Sequence, residues 1–326
     1  MENNRYQIVN IDKKYEGLRL DKFLFSIFKN VNNVLIQKAL RNKDILVNGK
    51  TAKNNQLLYS DDELMLSKFI LKIFNSPPKI IKSKKELKFT DSEINKIKGC
   101  VIYKDDYILG INKPSGLAVQ SGTKIEKSLN DFLPYLKFDK QENPKLVHRI
   151  DKDTSGALIL ARDKATAEVL SNYFKDKDEK LDKVYLAVVV GKFNKDEGNI
   201  NFPLLKKVEN GVEKVYRDEK DGKEAITLYR VLAYSEKFNV SLVEVKILTG
   251  RTHQIRVHMK EIGHPILGDG KYGGKKAFVE GLSDRLHLHS YRINIKNLYG
   301  RDTNIKAELP ENFSKTLKIA KIKLCK

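Results

Sequence analysis

Two polar segments of the sequence carry the residue types that catalysis requires. Residues 148–156 (HRIDKDTSG) place Arg149 ahead of two carboxylates, Asp151 and Asp153, on a short polar stretch between apolar residues. A carboxylate on such a loop is held by its scaffold and stays open to a ligand, so it could act as an acid or a nucleophile. Residues 249–258 (TGRTHQIRVH) bring two arginines, a glutamine and two histidines together at the end of an apolar run. These side chains suit an anionic ligand or a buried carboxylate partner.

The two carboxylates are compatible with more than one kind of site. Asp151 and Asp153 are spaced like those in the DxDxT signature of haloacid-dehalogenase-type phosphotransferases, whose first Asp attacks phosphorus beside a magnesium ion. That fold expects an uninterrupted apolar strand before the motif, whereas His148 and Arg149 interrupt the strand here. A calcium loop is excluded, because its twelfth position requires a bidentate glutamate and Arg162 stands there. The phosphotransferase and a simple polar turn remain alternatives.

The histidines, glycines and cysteines do not form a metal or nucleotide motif. His287 and His289 have no cysteine or carboxylate set at ligand spacing, so a structural or RNA-facing role is expected rather than a metal site. Residues 268–273 (GDGKYG) formally match GxGxxG, but no βαβ unit surrounds them, and a turn is predicted. Cys100 and Cys325 lie far apart and predict a reducing compartment with neither a disulfide nor structural zinc.

The net charge indicates a polyanionic partner. Lysine and arginine number 62 against 42 acidic residues, which gives a net charge of +20 at pH 7. This excess favours nucleic acid, with an anionic membrane surface as the alternative, although a general richness in lysine contributes to it. No apolar run approaches the length that spans a bilayer, and the N-terminal segment has no signal-peptide core. A soluble, cytoplasmic protein without a membrane role is expected.

The N-terminal part, residues 1–75, is predicted to be a small separate domain with two helices and a hairpin. Apolar residues at helical spacing predict one helix over residues 20–28, and Asn32 or Asn33 can cap a second. Residues 45–50 (ILVNGK) predict a hairpin, because Asn-Gly after a β-branched run is a strong turn signal. Four basic residues are candidates for contact with a phosphate backbone: Lys38, Arg41, Lys43 and Lys50. Charge alone fits a solvated surface equally well.

The rest of the chain is predicted to comprise a basic linker, residues 76–98, and a larger domain, residues 99–326. The linker contains two consecutive prolines and a cluster of lysines. In the larger domain strand-like segments predominate, helical segments are few, and the two do not alternate regularly. This pattern predicts an α+β fold with a mixed or antiparallel sheet rather than a doubly wound one. A helix is predicted over residues 252–261, with Thr252 as its N-cap.

Taken together, the motifs between residues 100 and 290 resemble one family. HRIDKDTSG is similar to the HRLDxxTSG motif of ribosomal RNA pseudouridine synthases of the RluA/RluC type, with Ile150 in the place of leucine. Four further segments match that family in the same order: KPSG (113–116), KVYLA (183–187), LTGRTHQIRVH (248–258) and GHPILGD (263–269). In the N-terminal part, GLRLDKFL (17–24) and VNG (47–49) resemble the RNA-binding domain named after ribosomal protein S4.

The resemblance implies an S4-like domain followed by a pseudouridine synthase catalytic domain that isomerises uridine within RNA. In that reaction the N1–C1′ bond breaks, the base turns over, and C5 joins C1′. Asp151 matches the family's nucleophile, and Arg256 matches the basic partner that keeps it ionised. Tyr185 matches the aromatic residue that stacks on the uracil and assists removal of the C5 proton. Ile247 or Leu248 is expected to line the pocket.

The resemblance also implies the remaining contacts and the partner. Arg149 is expected to fill the space that the flipped nucleotide leaves, and Arg251 to contact phosphate or the aspartate. The implied substrate is large-subunit (23S) ribosomal RNA or its precursor, bound by a monomer without metal or other cofactor. Two alternatives stay open: a magnesium-dependent phosphotransferase, and a non-catalytic factor that binds ribosomal RNA during assembly.

Overall fold

The computed structural model describes residues 5–77, 88–121, 126–175, 180–209 and 212–324. The chain divides into two compact units, residues 1–87 and 88–326, and each has a hydrophobic core of its own. Of the predicted linker, residues 78–87 lie outside the described residues. Residues 88–98 belong to the second unit, where Thr90 and Glu93 form a capping box at the start of a helix. Cys325 also lies outside the described residues.

The first unit packs three helices against short antiparallel strands. Its elements are β1 (Tyr6–Val9), β2 (Leu18–Arg19), α1 (Leu20–Ile27), α2 (Asn33–Arg41), β3 (Ile45–Val47), β4 (Lys50–Thr51), β5 (Leu57–Leu58), β6 (Leu64–Ser67) and α3 (Lys68–Asn75). One sheet has the order β1-β6-β3-β4, and β2 pairs with β5. Asn32 caps α2 by accepting the Leu35 N–H (2.9 Å), and Asn48 and Gly49 turn β3 into β4 with positive φ angles. The predicted cap and hairpin are therefore confirmed.

The second unit is dominated by strands. Its elements are α4 (Asp91–Lys98), β7 (Val101–Lys104), β8 (Ile108–Lys113), α5 (Leu129–Phe132), β9 (Lys145–Leu146), β10 (Ser155–Ala161), α6 (Lys164–Lys175), β11 (Leu181–Val190), β12 (Glu197–Asn201), β13 (Leu204–Glu209), β14 (Val212–Arg217), β15 (Ile226–Ser235), β16 (Val240–Ile247), α7 (Gln254–Glu261), β17 (Leu288–Leu298), β18 (Arg301–Lys306) and α8 (Glu311–Ile319).

Most of these strands form one large sheet. Its order is β12-β15-β16-β11-β17-β10-β8-β7, with β18 paired to β17 and β9 paired to β10. Apart from the parallel pair β10–β17, the registers are antiparallel. β13 and β14 form a separate hairpin. The α+β fold with a mixed, largely antiparallel sheet is confirmed. No helix in the described ranges is long and apolar enough to cross a membrane.

The centre of the sheet is apolar on both faces. Every residue of β10 is buried, as are six consecutive residues of β11 from Val184 to Val189. Strands buried on both faces appear as continuous apolar runs in a sequence, which is why these two were recognisable. The segment of residues 148–154 therefore leads directly into one of the most deeply buried strands of the unit.

Gly156 allows β10 and β17 to approach closely. Its φ is +109°, and a β-carbon at this position would lie 2.1 Å from the carbonyl oxygen of Ser290 on β17. Glycine is required here for its backbone conformation and for its lack of a side chain. The parallel pair places the start of β10 directly beside the start of β17, which is a central strand of the sheet.

One predicted cap is wrong. The N-cap of α7 is His253, not Thr252, and its side chain makes no capping hydrogen bond. With Thr252 as the cap, the helix would begin at His253, but the left-handed backbone of His253 (φ 53°, ψ 21°) is not helical, so α7 begins at Gln254.

Replacement of Gly156 by alanine is expected to destabilise the protein by about 3 kcal/mol or more, because backbone strain and a clash with β17 add together. The matched control is Gly263→Ala. Gly263 also has a positive φ (+88°), but nothing lies within 4 Å of the position of its added β-carbon. The control is expected to lose only about 1–2 kcal/mol. Urea denaturation of the full chain measures both losses, and equal losses would contradict this role of the β10–β17 contact.

Candidate active site

Asp151 lies on the loop that connects β9 to β10. The loop is a tight turn, since the Thr154 N–H donates to the Asp151 carbonyl (3.2 Å). The Asp151 side chain is 21% exposed, so it is partly buried and still within reach of a ligand. The neighbouring Asp153 is exposed at the surface.

His148 anchors the start of this loop. Its Nε2 accepts the backbone N–H of Ile159 on β10 (2.8 Å), and its ring stacks on Phe174 with centroids 4.2 Å apart. Burial, with the charge of Lys183 acting in the same direction, lowers the pKa of His148 to about 3. The imidazole is therefore a neutral acceptor that fixes the loop, not an acid.

Lys113 holds the loop from the other side. Its buried ammonium group donates to three carbonyl oxygens, those of Pro114 (2.9 Å), Leu117 (2.8 Å) and Lys152 (3.1 Å). Burial lowers the pKa of Lys113 to about 7, against the opposing charges of Asp153 and Asp151. One of the three acceptors, the carbonyl of Lys152, belongs to the residue directly after Asp151. Lys113 therefore ties the turn after β8 to the loop that carries the Asp151 carboxylate.

Arg256 lies on α7 between two carboxylates. Its Nε and Nη2 donate to Asp269 at 2.9 and 2.7 Å, a bidentate pair in which Asp269 is 1% exposed. The remaining nitrogen, Nη1, lies 4.0 Å from Oδ2 of Asp151. Burial alone would lower the pKa of Arg256, but Asp269 and Asp151 outweigh it, so the pKa is raised and the group stays charged. The buried carboxylate partner expected for this segment is Asp269.

The charge state of Asp151 results from opposing effects. Burial raises the pKa of Asp151, and the charges of Arg256 and Arg149 oppose this increase without cancelling it. Arg256 thus favours the ionised form as expected, but burial is the larger influence. A carboxylate with a raised pKa is a stronger base than an ordinary exposed aspartate, which suits a reactive group.

Tyr185 lies on β11 beside the aspartate and is 7% exposed. The register between β11 and β17 shifts at Val184 and Tyr185, an irregularity of the kind that re-aims side chains near active sites. Burial, and then the charge of Asp151, raise the pKa of the Tyr185 phenol above its usual range. Tyr185 is consequently a neutral hydroxyl at physiological pH, not a phenolate.

A cavity of about 110 Å³ opens beside these three residues. Its lining includes Asp151, Tyr185, Arg256, Ile247, Arg149 and Arg251. Pockets for drug-sized ligands and cofactors usually measure roughly 300–1,000 Å³, so this one suits a single small ring. Apolar side chains and three arginines in the lining make the cavity suitable for a planar, partly anionic group.

The structure brings together most of the residues predicted for the site, but Ile247 takes the place predicted for Leu248 or Ile247. Ile247 lines the cavity, whereas Leu248 is 41% exposed and is absent from the lining. Successive side chains of a strand point to opposite faces, so only one of the two can face the cavity at the end of β16. Arg149 and Arg251 are exposed at its mouth, and Nε of Arg251 donates to the carbonyl of Glu224 (2.9 Å).

The basic residues predicted in the N-terminal part are all exposed in the first unit. Lys38 and Arg41 lie in the last turn of α2, Lys43 follows that helix, and Lys50 begins β4. Asp44 is buried among them and accepts a hydrogen bond from Ser67 (2.8 Å). This leaves a surface segment from α2 to β4 on which the exposed charges are basic.

His287 and His289 are buried structural residues. His287 contacts the carbonyl of Arg285 (2.6 Å), and His289 contacts Ser155 Oγ (2.9 Å). Over the described ranges, no group of three or more His, Cys, Asp or Glu side chains is placed to hold a metal ion. Residues 268–273 form a turn, as predicted.

The sequence did not predict an individual role in the site for four residues: Lys113, His253, Asp269 and Tyr272. Lys113, His253 and Asp269 lie inside family motifs, which indicates that they lie near the site. Nothing in the sequence indicates which side chain each one contacts. Tyr272 gives no signal beyond its place in a glycine-rich turn. Its ring lies 5.1 Å from the guanidinium of Arg256.

Comparison with known proteins identifies the relatives of this site. Residues 107–261 match the model of the family described as RNA pseudouridylate synthase. A "Ribosomal large subunit pseudouridine synthase C" of Rickettsia bellii is 39% identical, over 91% of this chain and 96% of that protein. The chain belongs to the RNA pseudouridylate synthase family. A protein of the same name from Vibrio cholerae is 33% identical, over 88% of each chain.

Solved structures agree with this assignment. The structure titled "Human RNA Pseudouridylate Synthase Domain Containing 4" superposes with a TM-score of 0.59 at 26% identity, over 71% of this chain and 96% of that one.

The phosphotransferase alternative is wrong. A phosphotransferase motif of that type follows a strand of a parallel sheet, whereas the strand before Asp151 is the two-residue β9, which pairs antiparallel with β10.

Within this family member, Asp269→Asn is expected to destabilise the protein by about 3–5 kcal/mol, because it leaves the buried charge of Arg256 without its main partner. The double variant Arg256→Met with Asp269→Leu is expected to recover much of this loss, since no unpaired buried charge remains. Urea denaturation of the full chain measures both. A double variant as unstable as Asp269→Asn would contradict the importance of the unpaired charge.

Proposed function

We propose that this chain isomerises uridine to pseudouridine in the ribosomal RNA of the large subunit. Family membership supports an RNA pseudouridine synthase, and the names of the relatives support ribosomal RNA as the substrate. The observation that carries the proposal is the meeting of Asp151, Arg256 and Tyr185 around one small cavity. An apolar, cationic pocket of this size suits one uracil ring taken out of its stack.

The reaction conserves every atom of the nucleotide. The N1–C1′ bond breaks, C5 bonds to C1′, the C5 proton leaves, and a proton is taken up at N1. Asp151 can promote it in three ways: by attack on C1′, by attack on the ring, or by removal of a sugar proton. Each requires an ionised carboxylate, and the charge of Arg256 at 4.0 Å favours that form.

The other side chains position the base and the strand. Tyr185 offers a flat face to the uracil, and its neutral hydroxyl can take part in removal of the C5 proton only through hydrogen bonding or in concert with another base. Arg149, exposed at the cavity mouth, occupies the space that the flipped nucleotide leaves. Arg251 contacts a flanking phosphate.

The first unit serves as an RNA-docking domain in this proposal. Its exposed cations from α2 to β4 follow the phosphate backbone, which provides affinity without sequence information. The two units act in one cytoplasmic monomer, so docking by the first raises the local concentration of the target uridine at the second.

Asp151→Asn is expected to abolish pseudouridine formation in ribosomal RNA and to leave RNA affinity within a few-fold, because the amide keeps the shape and loses the charge. Asp153→Asn, at the exposed carboxylate two residues away, is the matched control and should retain activity. Base-resolved pseudouridine mapping and filter binding are the measurements. Product from Asp151→Asn would refute the role of Asp151. RNA binding without product from the wild-type protein, with or without magnesium, would favour the assembly factor.

Removal of three cations from the first unit (Lys38→Ala, Arg41→Ala, Lys50→Ala) is expected to weaken RNA binding. The slope of log K against log salt should fall by up to about 2–3, since each lost phosphate contact accounts for roughly 0.7–0.9. The control removes three exposed lysines of the second unit: Lys164→Ala, Lys315→Ala and Lys318→Ala. Equal effects of the two sets would contradict a docking role.

A further inference from the structure

A chain of polar contacts that the mechanism above does not use ends at Asp151. The backbone N–H of Val215 donates to Tyr272 Oη (3.2 Å), and Tyr272 Oη lies 2.6 Å from Nδ1 of His253. On the other side of the same ring, Nε2 of His253 lies 3.8 Å from Oδ2 of Asp151. The chain connects the β13–β14 hairpin to the reactive carboxylate.

These contacts favour one tautomer of the neutral His253 imidazole. Tyr272 Oη accepts from Val215, so its single proton is free to be donated, and His253 is its other hydrogen-bond partner among the described residues. Nδ1 is therefore the acceptor, and the proton of the neutral imidazole resides on Nε2. The Nε2–H faces Asp151.

His253 is a neutral donor and not a second cation. Burial lowers its pKa to about 3, and the charges of Arg256 and Lys271 act in the same direction. A neutral imidazole can donate to a carboxylate without competing for its charge. The donor thereby adds a hydrogen bond while Arg256 supplies the charge.

The backbone of His253 is held in a strained conformation. It is a non-glycine residue in the left-handed region, and its side chain makes no capping bond to α7. Such strain is found where surrounding contacts require it, often at functional sites. Here the side chain is directed to Tyr272 and Asp151 at the expense of a helix cap.

Both donors approach the same oxygen of the carboxylate. Nε2 of His253 lies 3.8 Å and Nη1 of Arg256 lies 4.0 Å from Oδ2 of Asp151. These distances exceed a hydrogen bond, as is common for catalytic contacts that shorten only when substrate is bound. With both donors on Oδ2, Oδ1 has no hydrogen-bond partner among the residues that the structure describes.

We propose that His253 is a positioning residue of the uridine isomerisation: with substrate bound, its Nε2–H and Arg256 hold Oδ2 of Asp151, so that Oδ1 is the oxygen that reacts. Tyr272 acts one step behind, because it fixes the proton of His253 on Nε2. The inference rests on the proposed function and adds to it residues that the family resemblance left without a role.

Several charged groups face this carboxylate and contribute to its titration. They are Arg256 of α7, Arg149 and Asp153 of its own loop, Lys113 at the end of β8, and Lys271 of the turn that contains Tyr272. The variants below leave all of these charges in place. A donor to the ionised form lowers the pKa of a carboxyl group, so its loss should move the acid limb of the rate to higher pH.

The test uses the full-length protein and a ribosomal RNA fragment, with single-turnover rates measured across pH. His253→Asn retains a residue type that accepts the left-handed backbone but cannot reach Asp151. It should lower the rate about 10- to 100-fold, the range for one hydrogen bond to a charged group. RNA affinity should change less than two-fold. The acid limb should shift to higher pH.

Two further variants separate positioning from simple support of the fold. His253→Gln carries an amide donor near the place of Nε2 and should recover most of the rate. Tyr272→Phe keeps the ring over Arg256 and removes only the hydroxyl. It should lower the rate and shift the acid limb to higher pH as His253→Asn does, but by smaller amounts. If His253→Asn lowers the melting temperature, the acid limb of Tyr272→Phe decides whether His253 positions Asp151 or only supports the fold.

The outcomes distinguish this inference from the proposed function. Wild-type pseudouridine formation together with an unchanged acid limb in both His253→Asn and Tyr272→Phe would overturn the role of His253 and leave the proposed function intact. A loss confined to RNA affinity would also overturn it. Absence of product from the wild-type protein would instead overturn the proposed function.

Discussion

The second unit depends on one buried guanidinium shared unequally between two carboxylates. Asp269 takes Nε and Nη2 of Arg256 in a bidentate pair, and this leaves only Nη1 for Asp151. Because the guanidinium is planar and its donors are fixed, the pair with Asp269 also determines where the third nitrogen points. The donors of a lysine share one rotatable nitrogen, so a lysine would not fix the direction of a second contact in this way. The arginine thus acts as a rigid spacer as well as a cation.

The same burial selects the protonation states around the cavity. It raises the pKa of Asp151 and of Tyr185 and lowers that of His253, so two of the three neighbours of the cavity are neutral at physiological pH. In surroundings of low dielectric, each remaining charge has a larger effect than it would have in water. Arg256 is therefore the main charged influence on Asp151, and the neutral groups shape the site through hydrogen bonds and contact.

Much of the fold could be predicted, because β10 and β11 are apolar enough to stand out and the turn residues are distinctive. The residue types of the site could be predicted as well: a carboxylate on a loop, and cations at a strand-to-helix junction. The pairings could not. Arg256 prefers Asp269 to Asp151 because of the positions of α7 and the turn after it, which depend on packing across the sheet. Ile247 rather than Leu248 faces the cavity because of the register of β16. Nor could the left-handed conformation of His253 be predicted, since threonine before it is the better helix cap by residue type alone.

The parallel pair between β10 and β17 has a consequence for the order in which the chain folds. Ser155 and His289 are hydrogen-bonded partners separated by 134 residues, so the loop of Asp151 reaches its final place only through a very long-range contact. Closure of such a loop is entropically costly and slow compared with the formation of local hairpins. During synthesis the ribosome must release β17 before this contact can form. The first unit has its core complete long before that point, so a nascent chain acquires its basic surface well ahead of the finished loop of Asp151.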